Sequence, residues 1–123
     1  MKLRTTGNSL RIRVRKSDLA KIQQTGYAQE EILFPNGNRF VFRLGTVEEA
    51  SEPTAVIEGQ RLSILLPNAM ADAWISSNQV GIEHFESLPN GERLHILVEK
   101  DFSCGHRDAG EIEDFFPELK PST

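Results

Sequence analysis

The chain of 123 residues is 38% apolar and 26% charged, with a formal net charge of -4, which fits one compact domain with one core, or two fused halves that share it, and excludes two independent enzymatic domains. Met1-Lys2-Leu3-Arg4 lacks the apolar stretch of a signal peptide, no run approaches membrane-spanning length, and a single cysteine, Cys104, excludes an internal disulfide framework, so a cytoplasmic protein without a membrane partner is expected. The net charge hides an asymmetry: residues 1–45 hold nine basic against three acidic residues, a net +6, and residues 46–123 hold five against fifteen, a net -10.

In chain order, Leu10 to Arg15 alternates apolar and arginine residues with the period of two of a strand that has one buried and one wet face. Lys16 or Ser17 then opens a short helix through Leu19, Ala20 and Ile22, with Gly26 placed to end it. A strand at Glu31-Ile32-Leu33-Phe34 leads to Asn36-Gly37 and a second strand from Arg39 to Leu44. The Asn-Gly pair predicts a two-residue type I′ hairpin turn, in which both central residues have positive φ. Gly45 to Pro53 has no clear period and reads as an acidic connector. The order then repeats: a strand at Leu62 to Leu66, a helix from Asn68 to Ser77 with Asn68 as its cap and Asn78 in the place of Gly26, a strand at Val80 to Phe85, the Asn90-Gly91 turn, and a strand from Arg93 to Val98.

The repetition has a measurable register. Leu10, Ile12 and Glu31 match Leu62, Ile64 and Glu83 at an offset of 52, and Pro35, Asn36, Gly37 and Arg39 match Pro89, Asn90, Gly91 and Arg93 at an offset of 54. The expected organisation is a basic first repeat over 1–45, a linker over 46–58, an acidic second repeat over 59–100 and an acidic aromatic tail over 101–123, all in one mainly β, α+β domain. The opposite charge of the halves marks surfaces for differently charged partners, or it draws the halves to each other.

Gly7-Asn8-Ser9 followed by Ile12-Arg13-Val14, a short helix, a strand and a hairpin resembles the MazE/AbrB-type swapped-hairpin domain, whose first strand reads Gly-Asn-Ser, two variable residues, Val-Arg-Ile-Pro. A second, more degenerate copy runs from Gly59-Gln60-Arg61 through Leu65-Leu66-Pro67 to about Lys100. Taken whole, the chain also resembles small bacterial proteins grouped as a domain of unknown function. The first copy has Thr6 where an aromatic residue precedes Gly-Asn-Ser in the antitoxin-type members and Arg15 where the proline closes the strand; the second keeps Pro67 but has lost Gly-Asn-Ser and has Leu65 in the place of Arg13. The resemblance implies two βαββ repeats that build one AbrB-like pseudo-dimeric barrel from a single chain, with a homodimer as the other arrangement. It also implies DNA contact through Asn8, Ser9 and Arg13, to which composition adds Arg4, Arg11 and Arg15.

Arginines at alternate strand positions face the same way about 7 Å apart, and guanidinium groups pair well with phosphate oxygens. The same stripe also fits a solvated sheet face kept soluble by charge, or a set of ion pairs with carboxylates of the second half. Phe102, Phe115 and Phe116 stand among acidic residues in the tail, which fits either an anchor for a basic protein partner or rings that pack back on the fold. Cys104 and His106 supply two soft ligands where a structural zinc needs four, and His84 and His95 lie in predicted strands. No catalytic constellation, metal site or cofactor is expected. The reading is a non-enzymatic regulator on nucleic acid, with a protein-interaction or small-ligand barrel as the alternative.

Overall fold

A computed structural model describes residues 1–101 and Phe116. Over this range the chain runs β1 (Lys2–Thr5), β2 (Ser9–Val14), α1 (Lys16–Thr25), β3 (Tyr27–Leu33), β4 (Arg39–Val47), β5 (Thr54–Glu58), β6 (Arg61–Pro67), α2 (Asn68–Ile75), β7 (Gly81–Ser87) and β8 (Arg93–Lys100). Mainly β structure with two small helices is thus what the alternating segments build. Among the described residues no helix is long and apolar enough to cross a membrane.

The strands form two four-stranded sheets, β1-β2-β8-β7 and β3-β4-β6-β5. Each sheet has a parallel pair at its centre, β2 with β8 and β4 with β6, flanked by antiparallel edge strands. The first sheet therefore joins strands from the two ends of the described chain, and the second is built from the four consecutive strands between them. The closed barrel expected from the sequence does not form, because among the described residues no ladder joins an edge strand of one sheet to an edge strand of the other. Those edges are short or charged, with Lys2 and Arg4 on β1 and Glu30 and Glu31 on β3, and such edges resist further pairing.

Alternation places the core. Ile12 and Val14 of β2, Leu44 of β4, Ile64 and Leu66 of β6, and Ile96 and Val98 of β8 are buried together, and the helices add Leu19, Ile22, Ala71 and Trp74. Trp74 is fully buried, and its indole N–H donates to the Val80 carbonyl at 3.1 Å. Helix α1 begins with the Arg15 N–H donating to the Asp18 carboxylate at 2.8 Å, which satisfies an amide that the first turn would otherwise strand. It ends at Gly26, whose φ of 93° is the left-handed conformation that glycine adopts without a Cβ penalty.

Several local expectations change. Strand β1, with Leu3 as its one large apolar residue, carries no alternation, and it is a strand because β2 pairs with it. The expected linker 46–58 contains the end of β4 and all of β5. Helix α2 starts directly from the end of β6, so Pro67 occupies the cap position, Asn68 is the first helical residue, and Ser76 closes the helix ahead of Asn78. Neither hairpin is a type I′ turn. The Gly37 N–H donates to the Phe34 carbonyl and the Phe34 N–H to the Asn38 carbonyl, with matching bonds among Leu88, Gly91 and Glu92. These are three-residue Pro-Asn-Gly loops with glycine alone at positive φ. Pro35 and Pro89 fix φ near -65°, which suits the first central residue of such a loop, and they lack the N–H that the residue before a two-residue Asn-Gly turn donates across the hairpin.

Strand β7 approaches β8 closely at Gly81, where an added Cβ would lie 2.5 Å from the Val98 carbonyl oxygen. Gly81→Ala is expected to destabilise the fold by about 1–3 kcal/mol, seen as a lower midpoint in urea at unchanged slope. A midpoint equal to wild type would show that the two strands have room to part.

Candidate nucleic-acid interface

Register decides which of the first-strand residues share a surface. Residues opposite one another on paired strands face the same side of the sheet, so the row Lys2, Arg13, Glu99, Gly81 crosses the outer face of the first sheet, next to the rows Arg4, Arg11, Leu97, Glu83 and Ser9, His95, Phe85. Arg93 lies two residues before His95 and projects to the same face. Four of the expected contact residues, Arg4, Ser9, Arg11 and Arg13, thus come together on one surface. They are joined by Lys2, His95, Phe85 and Arg93, which strand patterning alone does not assign to a site.

Arg4, Thr6, Ser9, Leu10, Arg11, His95 and Leu97 line a cleft of about 250 Å³ on this face. Arg4 and Arg11 stand opposite each other in the β1–β2 ladder. Among the described residues no carboxylate pairs with Arg4. The Arg11 Nε donates to Glu99 Oε1 at 2.6 Å, and the Arg13 Nε lies 3.7 Å from that oxygen. Two guanidinium groups therefore share one carboxylate, which cannot neutralise both. The Lys2 ammonium is 3.5 Å from the buried Asp101 carboxylate. Among the described residues, Lys2, Arg4, Arg11, Arg13 and Arg93 outnumber Glu83, Glu99 and Asp101 here, and with Lys2 held by Asp101 the excess positive charge is on the arginines.

The Gly-Asn-Ser segment has a structural task here. Gly7, with φ of 57°, turns the chain between β1 and β2. The Asn8 amide donates to the Arg93 carbonyl at 2.8 Å and so ties this turn to the start of β8, and the Ser9 hydroxyl donates to the Thr6 carbonyl at 2.6 Å. The donor groups expected to meet nucleic acid are used within the protein at these two positions. Arg15 lies past the end of β2, where its backbone caps α1.

Across β8 and the edge strand β7 the His95 and Phe85 rings stack with centroids 4.3 Å apart and planes inclined by 4°. The Arg93 guanidinium lies 4.7 Å from the Phe85 ring centroid, and His95 Nε2 is 2.8 Å from Glu83 Oε2, a contact that fixes the imidazole plane. His95 seen in the sequence is a histidine in a strand. Only the pairing of β8 with β2 makes it a wall of the arginine cleft.

Of the tail aromatics, Phe102 and Phe115 lie outside the described residues, as do Cys104 and His106. Phe116 is 5% exposed within the main core cluster, and its N–H donates to the Asp101 carbonyl at 3.1 Å. Its ring is packed into the fold, the second of the two arrangements expected for the tail aromatics. Burying a phenylalanine side chain is worth about 1.5–3 kcal/mol, which explains the preference.

The chain belongs to a family of unknown function, DUF7009, whose model matches residues 1–120. This agrees with the resemblance of the whole chain to a domain of unknown function, and it does not carry the MazE/AbrB relationship. No curated protein and no solved structure matches the chain.

The shared carboxylate generates a prediction. Replacing Glu99 by glutamine removes the one negative charge held between Arg11 and Arg13, so Glu99→Gln is expected to elute from a heparin column at higher salt than wild type. Elution at the same salt would show that these arginines do not face a polyanion.

Proposed function

We propose that the chain is a non-enzymatic binding protein that contacts nucleic acid across the outer face of its first sheet. The observation that carries this reading is the cleft in which Arg4 and Arg11 face each other beside Arg13, with fewer carboxylates than guanidinium groups among the described residues around it. Guanidinium groups suit phosphate because their planar donors match its oxygens in pairs. A flat strand-built face also lets several of them meet successive phosphates.

The finer architectural reading is a tandem swapped-hairpin domain completed by one chain. Its support is the topology: each half runs strand, strand, helix, strand, strand, and each sheet combines the first two strands of one half with the last two of the other. Under this reading Val56 and Ser63 take the places of Arg4 and Arg11 in the second half, at the offset of 52. The protein would then present one basic face where a symmetric reader of duplex DNA presents two, and would act as a monomer.

A protein-interaction module is the second reading, favoured by apolar exposure on the other sheet. Leu33, at the end of β3, is 68% exposed, and the adjoining Phe34 lines a cleft of about 590 Å³ with Pro35 and Phe40. Exposed apolar groups gathered in this way are a common mark of partner sites.

Fluorescence anisotropy of labelled oligonucleotides over a salt series separates the two. Wild type is expected to bind with an affinity that falls steeply with salt. Arg4→Ala/Arg11→Ala is expected to bind more weakly, with a log–log salt slope shallower by about 2, one for each phosphate that is no longer neutralised. Absence of binding at low salt would end the nucleic-acid reading and leave the apolar cleft as the place to look.

A further inference from the structure

We infer that the ligand of this face is single-stranded nucleic acid, with a base stacked on the Phe85–His95–Arg93 ladder while the backbone runs over Arg4 and Arg11. The inference rests on the proposed nucleic-acid reading and adds the class of strand. Three observations carry it.

The first is planarity. His95 and Phe85 are nearly parallel at 4.3 Å, and the Arg93 guanidinium is placed over Phe85 at 4.7 Å. Bases unstacked from a single strand pair their faces with aromatic rings and guanidinium planes, whereas bases inside a duplex already stack on each other.

The second is continuity. Ser9, His95 and Phe85 are direct cross-strand partners, and His95 is also a wall of the arginine cleft. The ladder therefore begins where the cleft ends and runs to the open edge of the sheet at β7. Phosphate-binding and base-stacking surfaces lie side by side on one face, as a chain with alternating backbone and bases requires.

The third is exposure. Phe85 is 44% exposed on a face whose other residues, apart from Leu97 and Gly81, are charged or polar. The ring already stands in a stack with His95 and Arg93, and a flat ligand would extend that stack where it is exposed.

The test compares a 5′-fluorescein-labelled 20-residue oligothymidylate with a labelled duplex of equal length by anisotropy in low salt, using the whole chain. Wild type is expected to bind the single strand at least fivefold more tightly. Phe85→Leu, which keeps an apolar side chain of similar size but removes the ring, is expected to lose about tenfold on the single strand and clearly less on the duplex. Phe85→Tyr should restore wild-type behaviour. Equal affinity for the two probes, or a loss in Phe85→Leu that Phe85→Tyr does not reverse, would overturn the stacking inference and leave the nucleic-acid reading standing. Failure of wild type to bind either probe would overturn both.

Discussion

The charged face depends on one pairing, the parallel ladder between β2 and β8. Parallel neighbours cannot be joined by a tight turn, so these strands come from opposite ends of the described chain. The ladder sets Arg11 beside Leu97 and Arg13 beside Glu99, and it brings His95 next to Ser9. The basic strand of the first half thereby gains both its carboxylate and its aromatic neighbour from the acidic second half. If β2 paired elsewhere, the arginines would still form a stripe, but the cleft, the shared carboxylate and the stacked rings would not meet.

Glu99 matters more for geometry than for stability. Two guanidinium groups about 7 Å apart repel by about 0.6 kcal/mol in a water-like dielectric, and a partly exposed ion pair returns about 0–1 kcal/mol. The balance is near zero. What the carboxylate does is hold the Arg11 guanidinium in one direction on a surface where a free arginine would sample many rotamers. A ligand phosphate arriving here competes with Glu99 for Arg11, and meets Arg4 without such competition. The cleft can therefore be weak for an isolated anion and better for a chain of them, since each added phosphate engages another cation of the face.

Much of the fold is legible because alternation and glycine placement act locally. Leu10, Ile12 and Val14 mark the inward face of β2, and Gly26 ends α1 where a left-handed residue is needed. The hairpins are legible in position but not in type, because Pro35 and Pro89 override the preference of the Asn-Gly pairs that follow them. Strands β1 and β5 are legible only through their partners, since neither has enough apolar alternation to stand out. The candidate site is half legible. The arginines are plain in the sequence, whereas Glu99 lies 88 residues from Arg11 and joins it only through the sheet order, which no local pattern specifies. Gly7-Asn8-Ser9 shows the opposite limit: its residues draw attention as contact groups, and the fold uses them to turn the chain and pin β8.

The central claim is that the outer face of the first sheet receives the ligand. Backbone amide shifts of the labelled protein, followed while a short oligonucleotide is added, test it most directly. The account predicts saturable changes gathered on Arg4, Ser9, Arg11, Phe85, His95 and Leu97, with Leu33, Phe34 and Phe40 undisturbed. Changes centred on Leu33, Phe34 and Phe40, or none at any residue, would contradict it.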